Sequence, residues 1–176
     1  MKLDKEEAYV MAIVCFEKAV CFESERLRYK GISAVDSENL VRWRSNKHVY
    51  ESAINSRAIN LEEHEAWFEG YMQDKKSLRL VITEKKSGKD IGMVGGECKD
   101  AFFVLSYYIG ESDFRGMGYA GEAINSLIEY VITNTTIQVF QANVLPSNRA
   151  SINCLSKIGF VLSTAHVNGL RFTKVV

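Results

Sequence analysis

The sequence predicts a single α+β domain: a mixed, mostly antiparallel sheet of six to seven strands, flanked by about four helices in α/β/α-type layers. Two patterns lead to this class. Short segments of alternating or continuous apolar residues bounded by turn residues predict strands, and longer segments with polar caps predict helices. A glycine-rich turn also joins one strand directly to a helix. At 176 residues, the chain suits one domain with a substantial core.

The elements are expected in this order along the chain. Strands are predicted at 26–33, 78–83, 90–98, 102–109, 136–144, 160–166 and 170–175. Helices are predicted from a cap at Asp36 through Trp43, near Leu61 to Met72, from Tyr119 to about Ile132, and from Asn148 towards Lys157. Asn60 with Glu63 reads as a capping box. Residues 86–89 and 168–169 predict hairpin turns.

Composition fits an ordinary globular enzyme and excludes some other classes. Apolar residues make up 47% and charged residues 25%, and the net charge is zero, so nothing predicts nucleic acid or an acidic membrane as a partner. The apolar run Ala8 to Phe16 is too short to span a bilayer, and no signal peptide is indicated. The four cysteines lack metal-type spacing, which predicts reduced thiols in a cytoplasmic protein: Cys15, Cys21, Cys98 and Cys154.

The stretch Arg115-Gly116-Met117-Gly118-Tyr119-Ala120-Gly121 is the most informative in the chain. It lies between a predicted strand and a predicted helix, where unpaired backbone N–H groups meet the positive end of the helix dipole. Gly116 and Gly118 let the backbone approach an anion closely. The segment therefore predicts a phosphate-binding site.

The same glycines match the spelling of a dinucleotide-binding fingerprint, which is a weaker alternative. That fingerprint requires an acidic residue about 20 positions further on, after the next strand. The next strand candidate, 136–144, carries no acid, and few residues remain after it. No Lys-Ser or Lys-Thr closes the loop, so a Walker A motif does not fit either.

A second cluster follows after Pro146 and contains Asn148, Ser151, Lys157, Gly159 and Phe160. Together the two clusters resemble the GNAT superfamily of N-acetyltransferases, whose glycine loop and Asn-x-x-Ser…Lys-x-Gly-Phe segment occur in this order with a strand between them. The resemblance covers roughly residues 26 to 176. It divides the chain into an N-terminal extension at 1–23, which could form an amphipathic helix, and an acetyltransferase domain at 24–176.

The resemblance implies acetyl-CoA as co-substrate and no metal. The pyrophosphate would lie on the amides of Arg115, Gly116, Met117, Gly118, Tyr119 and Ala120. Asn148 would bond the pantetheine arm, with Ser151 beside it, and the backbone of Ile109, Gly110 and Glu111 would border the thioester. The other interpretation of Asn148 is a helix-terminal residue, with Ser147 as the actual cap.

The N-terminal half resembles a narrower branch. Leu40 to Asn46 is similar to the Trp-Arg-Asn signature of the ribosomal-protein-acetylating branch, with Ser45 where Asn is usual. Residues 59–68 resemble acetyltransferases that act on nucleotide-linked amino sugars. In that case Arg44 would contact an anionic acceptor, and His64 would border it. The alternatives are a surface ion pair for Arg44 and a solvated helix position for His64, on the polar side of a helix whose apolar face is Leu61, Trp67 and Phe68.

The chemistry implied is direct transfer of acetyl to an amine, which needs a base, an oxyanion donor and an acid for the leaving thiolate. Many relatives supply the acid from a Tyr where this chain has Leu155. Tyr107 and Tyr108 are candidates for it, or alternatively core aromatics, and Glu97 is the candidate base, or alternatively a solvated strand-end carboxylate. Cys154 reads as a packing residue rather than a nucleophile.

The resulting prediction is an acetyl-CoA-dependent N-acetyltransferase for a small amine, best a nucleotide-linked amino sugar. It needs no nucleic acid or membrane partner, and a homodimer is left open. A protein acetyltransferase and a non-catalytic acyl-CoA-binding module are the alternatives.

Overall fold

The computed structural model describes residues 15–54, 57–166 and 169–176. In these ranges eight strands form one sheet in the order β1-β2-β3-β4-β5-β6-β8-β7. The strands are β1 (Cys21–Glu23), β2 (Leu27–Gly31), β3 (Ser77–Glu84), β4 (Lys89–Lys99), β5 (Phe102–Ile109), β6 (Val139–Val144), β7 (Val161–His166) and β8 (Gly169–Val175). The helices are α1 (Ser37–Arg44), α2 (Lys47–Tyr50), α3 (Leu61–Gln73), α4 (Tyr119–Asn134) and α5 (Arg149–Lys157). The predicted α+β class is confirmed.

The sheet is antiparallel except between β5 and β6, which pair in parallel. The chain returns from β5 to β6 through α4, as a parallel pair requires. The two strands pair only from Phe102↔Val139 to Val104↔Gln141 and then separate. The second half of β5 is therefore bonded on its β4 side but opens a gap on its β6 side.

Helices cover both faces of the sheet, as the layered prediction expects. On one face α4 and α5 bury apolar side chains at helical spacing, among them Ile124, Leu127, Val131 and Leu155. On the other face α1 and α3 pack on a smaller cluster that includes Trp43, Tyr71 and Met93. The functional residues lie where the gap between β5 and β6 connects these two layers.

Two short elements exceed the predicted counts of strands and helices. Strand β1 has three residues and α2 has four, and neither is long enough to show a period in the sequence. Strand β1 falls within the segment expected as a helical extension, and it pairs with β2. Phe16 is also in the main core, in an edge contact with Phe103 at 5.7 Å between ring centroids. Residues 15–23 thus belong to the domain, and residues 1–14 lie outside the described part.

Local predictions hold at most turns and caps. Asn60 caps α3, and its capping box with Glu63 is present. The hairpin turn at 86–89 joins β3 to β4; residue 168 of the second predicted turn lies outside the described residues. Asp36 precedes α1, but its carboxylate accepts from the Ser33 N–H at 2.9 Å and pairs with Lys30 at 2.9 Å, so it does not cap that helix. No helix in the described ranges is long and apolar enough to cross a membrane.

Candidate active site

The glycine loop presents a row of unused backbone donors. Strand β5 ends at Ile109 and α4 begins at Tyr119, with Gly118 as its N-cap. Gly116 and Gly118 have φ values of 74° and 80°, which favour glycine. The N–H groups of residues 116–121 find no acceptor within the part of the chain that the structure describes. The loop thus has the free donors and the helix terminus that an anion requires.

Arg115 holds this loop to the end of β5 and takes no part in the row of donors. Its guanidinium donates to the C=O groups of Ile109 at 3.0 Å and Gly110 at 2.7 Å, and its own N–H donates to Ser112. Of the amides predicted to hold pyrophosphate, residues 116–120 have free N–H groups and Arg115 does not.

The end of β5 is also partly occupied by internal bonds. The N–H groups of Gly110 and Glu111 both donate to Ile91, at 2.8 and 3.1 Å. In a strand, the backbone N–H and C=O groups of successive residues point to opposite neighbouring strands. Those of Gly110 point to β4, so those of Ile109 and Tyr107 point to the gap beside β6. The backbone groups that can meet a ligand there are the Ile109 N–H and those of Tyr107, rather than the amides of Gly110 and Glu111.

Gly110 and Glu111 instead fix α1 against this strand end. A Cβ on Gly110 would lie 2.2 Å from the Trp43 ring, so only glycine fits. The Glu111 carboxylate accepts from Trp43 Nε1 at 2.8 Å and from Arg42. The hydrogen bonds from Arg42 and Trp43 lower the pKa of Glu111.

Asn148 itself is the N-cap of α5, so the alternative that assigned the cap to Ser147 is wrong. Its Oδ1 accepts from the Ser151 N–H at 3.0 Å, and its Nδ2 donates to the Ser52 C=O at 3.0 Å. The second hydrogen of Nδ2 remains for another acceptor. Asn148 therefore joins α5 to the segment after α2 and keeps one donor.

Tyr107 and Tyr108 point to opposite faces of the sheet, since they are neighbours in β5. The Tyr107 hydroxyl bonds Ser151 Oγ on the first turn of α5. Tyr108 meets Trp43 at 6.3 Å between ring centroids on the other face. Burial raises the pKa of both phenols, so both keep their protons at neutral pH. Only one of them can therefore approach a leaving group from the α5 side.

The predicted faces of α3 are correct for Phe68, which packs on the smaller cluster, and wrong for Leu61, Trp67 and His64. His64 is 3% exposed, whereas Leu61 and Trp67 of the predicted apolar face are 45% and 44% exposed. The buried positions are His64 and Tyr71, because they face α1 and the sheet. His64 Nε2 lies 3.2 Å from Ser37 Oγ, and burial lowers the pKa of the imidazole.

Arg44 lines the same cleft as His64 and is half-buried. Among the described residues it forms no hydrogen bond or ion pair, which argues against the surface ion pair considered from the sequence. Burial raises the pKa of Tyr108, and the positive charge of Arg44 acts in the opposite direction and lowers it. The guanidinium is thus available for a ligand.

Arg79 is a site residue that the sequence analysis missed. It is half-buried on β3, and its guanidinium donates to the C=O groups of Leu78 at 3.0 Å and Gly96. Burial lowers its pKa, which nearby Glu97 partly offsets. The sequence could have indicated it, because Arg79 is a charged residue within the otherwise apolar run Leu78 to Ile82, and charged residues are rarely buried unless they have a partner.

Glu97 lies on β4 opposite Val104, in the same cleft. Its carboxylate pairs with Lys99 at 2.8 Å, and the side chain is 39% exposed. Leu155 is fully buried in the core, and burial raises the pKa of the Cys154 thiol, which keeps it protonated. A metal site is not formed by any group of three or more His, Cys, Asp or Glu side chains in the described ranges.

One cleft of about 2030 Å³ connects all these residues through the gap between β5 and β6. We call its two walls the loop side and the α1–α3 side. The loop side is formed by Tyr107, Ile109 and residues 114–121, 148, 150–151 and 153–154, and the α1–α3 side by the side chains of Arg44, His64, Arg79, Glu97 and Tyr108. Such a volume exceeds that of a usual small-ligand pocket and leaves room for two reactants.

Known proteins share this architecture. The acetyltransferase (GNAT) domain model matches residues 26–161. A ribosomal-protein alanine acetyltransferase from Vibrio fischeri superposes with a TM-score of 0.69 at 18% identity, over 89% of this chain and 96% of that one. The microcin self-immunity acetyltransferase MccE, in complex with acetyl-CoA and AMP, gives 0.72 at 23%, over 87% and 94%. Spermidine N-acetyltransferase from Vibrio cholerae, with CoA and spermine, gives 0.76 at 15%, over 86% and 96%. Among curated proteins, no sequence match is found.

Because the domain model covers most of the chain, the protein belongs to the GNAT acetyltransferases. It is an N-acetyltransferase, and acetyl-CoA is its co-substrate. This decides against the non-catalytic binding module and against the dinucleotide-binding fold.

Proposed function

We propose that the enzyme transfers acetyl from acetyl-CoA directly to a primary amine of an anionic small molecule, with a nucleotide-linked amino sugar as the best candidate. The pyrophosphate of CoA then lies on the free N–H groups of residues 116–121, and the remaining Asn148 Nδ2 hydrogen serves the pantetheine arm. Cytoplasmic location and homodimer formation stay predictions from the sequence.

Arg44 carries the proposal for an anionic acceptor. A half-buried guanidinium that has no carboxylate partner among the described residues favours an anion supplied from outside. Arg79 adds a second cation to the same wall, while Glu97 is already paired with Lys99. A wall with this charge suits a diphosphate and disfavours a polyamine or a basic peptide.

The alternative acceptor is a protein amine, which the similarity to a ribosomal-protein acetyltransferase raises. A flexible peptide needs a groove open along its length, with acids for a protonated terminus. Here Glu63 is held by Arg57 at 2.7 Å, and Glu97 by Lys99. We therefore rank the protein acceptor second.

The same residues suggest how the reaction proceeds. Glu97, through a chain of waters, takes one proton from the ammonium group of the acceptor. The neutral amine then attacks the thioester carbonyl while the Ile109 N–H stabilises the oxyanion, and the surplus N–H proton of the intermediate leaves to solvent. The C–S bond breaks, its electron pair goes to sulfur, and the Tyr107 hydroxyl donates its proton to the thiolate. Solvent then returns a proton to Tyr107. Many relatives supply this acid from a Tyr at the position of Leu155. Helical side chains lean towards the N-terminus of their helix, so a Tyr there would reach the turn of Ser151. The Tyr107 hydroxyl lies at that turn, and we therefore assign the acid to Tyr107.

The acceptor proposal is tested by initial rates of free thiol release with a panel of amines: a nucleotide-linked amino sugar, the free amino sugar, spermidine and a peptide amine. We expect the sugar nucleotide to have the highest kcat/KM. Arg44→Ala should raise its KM roughly tenfold or more by removing charged hydrogen bonds, and leave the KM for acetyl-CoA nearly unchanged.

Arg44→Lys should restore only part of the loss, because a point charge cannot replace a bidentate fork. Lys47→Ala is the matched control, since Lys47 is exposed and, among the described residues, its ion-pair partner is Glu51, at 3.6 Å. Equal effects of Arg44→Ala on both substrates would make Arg44 structural. A preference for peptide amines over every sugar nucleotide would favour the protein acceptor.

A further inference from the structure

A second cation lies beside the glycine loop, outside both sequence motifs. Arg26 precedes β2, and its Nη1 donates to the Met117 C=O at 3.0 Å. Its guanidinium carbon lies 4.4 Å from the centre of the Tyr119 ring. Arg26 Nη2 forms no hydrogen bond with any described residue, and it lies 3.6 Å from the point where a Cβ on Gly118 would stand. One end of the guanidinium therefore faces the loop with its donors unused.

The other end of Arg26 is held by an acid of the first turn of α4. Arg26 Nε donates to Glu122 Oε2 at 2.6 Å, and the Arg26 N–H donates to Oε1 at 2.8 Å. The Ser24 hydroxyl donates to the same Oε1 at 2.7 Å. Partial burial works to raise the pKa of Glu122, but these hydrogen bonds and the Arg26 charge lower it overall, so the carboxylate stays ionised.

This pair matters because of the ligand charge expected next to it. An ionised Glu122 one turn into α4 would repel a phosphate bound at residues 116–121. Arg26 neutralises that carboxylate and directs Nη2 towards the same space. Arg115 donates from Nε and Nη2 to Ile109 and Gly110, so its guanidinium is held at the end of β5, whereas Arg26 Nη2 lies beside Gly118.

We propose that Arg26 binds the pyrophosphate of CoA through Nη2. Glu122 holds the Arg26 side chain in place for that contact, although its own negative charge repels the pyrophosphate. This inference rests on the proposed position of the pyrophosphate at the glycine loop. It gives the loop a cation beside Gly118, in addition to Arg115, which is held at the end of β5.

The proposal predicts unequal effects for the two members of one ion pair. By calorimetric titration, Arg26→Ala should weaken CoA binding roughly ten- to hundredfold, because a charged hydrogen bond is lost and Glu122 is uncovered. Glu122→Gln should weaken CoA binding clearly less than Arg26→Ala. Its carbonyl oxygen can still accept from the Ser24 hydroxyl and the Arg26 N–H, and the negative charge is gone, but its NH2 group cannot accept from Arg26 Nε, so the guanidinium is held less firmly. The double variant should recover part of the Arg26→Ala loss.

Arg28→Ala is the matched control. Arg28 lies two residues further along, and its side chain is 54% exposed and paired with Glu23 at 2.8 Å. It should bind CoA like the wild type. Thermal melts without ligand show that each variant is folded. If Arg26→Ala bound CoA normally, or if Glu122→Gln weakened binding as much as Arg26→Ala, the pair would be structural and the proposal wrong.

Dephospho-CoA separates the two phosphate groups of CoA. The loss in Arg26→Ala should be the same for CoA and dephospho-CoA if Arg26 binds the pyrophosphate. A loss that disappears with dephospho-CoA would assign Arg26 to the 3′-phosphate and overturn the proposal. Gly118→Val tests the position of the pyrophosphate at the glycine loop separately from the role of Arg26. If Gly118→Val keeps its CoA affinity, the proposed pyrophosphate position is wrong as well. If Gly118→Val loses CoA affinity while Arg26→Ala binds CoA normally, only the role of Arg26 is refuted.

Discussion

The loop side of the cleft presents mostly backbone donors to a ligand, whereas the α1–α3 side presents side chains. On the loop side the free N–H groups belong to consecutive residues, 116–121, and glycine supplies the backbone angles. On the α1–α3 side the side chains of Arg44, His64 and Arg79 come from α1, α3 and β3. A chemically constant ligand such as CoA can be held by backbone, while acceptor choice can change through single side chains.

The largest expected effect tests the backbone side. Gly118→Val places a β-branched residue at a φ of 80°, which costs about 1–3 kcal/mol, and it disturbs the N-cap where the pyrophosphate approaches. We expect CoA affinity to fall roughly hundredfold, as for the loss of two charged hydrogen bonds, while the protein stays folded.

Gly88→Val is the control for that strain. Gly88 has a φ of 69° in the hairpin between β3 and β4, and like Gly116 it has no atom near an added Cβ. It should lose similar stability and keep its CoA affinity. If both variants bound CoA equally well, the glycine loop would not be the cofactor site.

An intermediate effect is expected when the hydroxyl is removed from Tyr107 on the loop side, and the same change at Tyr108 on the α1–α3 side is the comparison. Tyr107→Phe removes the hydroxyl at Ser151 on the loop side and should lower kcat roughly ten- to hundredfold, as expected for a general acid. Tyr108→Phe removes a hydroxyl on the α1–α3 side and should act mainly on the KM of the acceptor. The reverse result, with kcat lost in Tyr108→Phe alone, would assign the acid to the other face.

The smallest effect concerns the pH dependence of stability on the α1–α3 side. Burial lowers the pKa of His64 below its ordinary value of 6.5, so the unfolded chain takes up its proton first as the pH falls. The folded state should therefore lose stability from about pH 6.5 downwards. His64→Leu cannot be protonated, so urea unfolding at pH 7.5 and pH 5.5 should show a smaller loss for this variant. An equal loss in both proteins would exclude His64 as its source.

The sequence could predict the features that depend on neighbours along the chain. The glycine loop, the capping box of Asn60 and Glu63, and the hairpin at residues 86–89 each follow from local backbone chemistry. The class of the fold and the order of the long elements follow from the periodicity of segments of about eight residues or more. Strand β1 was missed because three residues carry no period.

By itself, therefore, the sequence determined where the backbone can bind phosphate, because positive φ angles and helix starts are local properties. The tertiary structure alone decided which side chains meet. It buried His64 against α1, set Tyr107 and Tyr108 on opposite faces, brought Arg79 into the cleft, and placed Arg26 over the glycine loop 91 residues away from Met117. These contacts depend on strand order, register and helix packing, which join residues distant in the chain and leave no spacing in the sequence by which to recognise them.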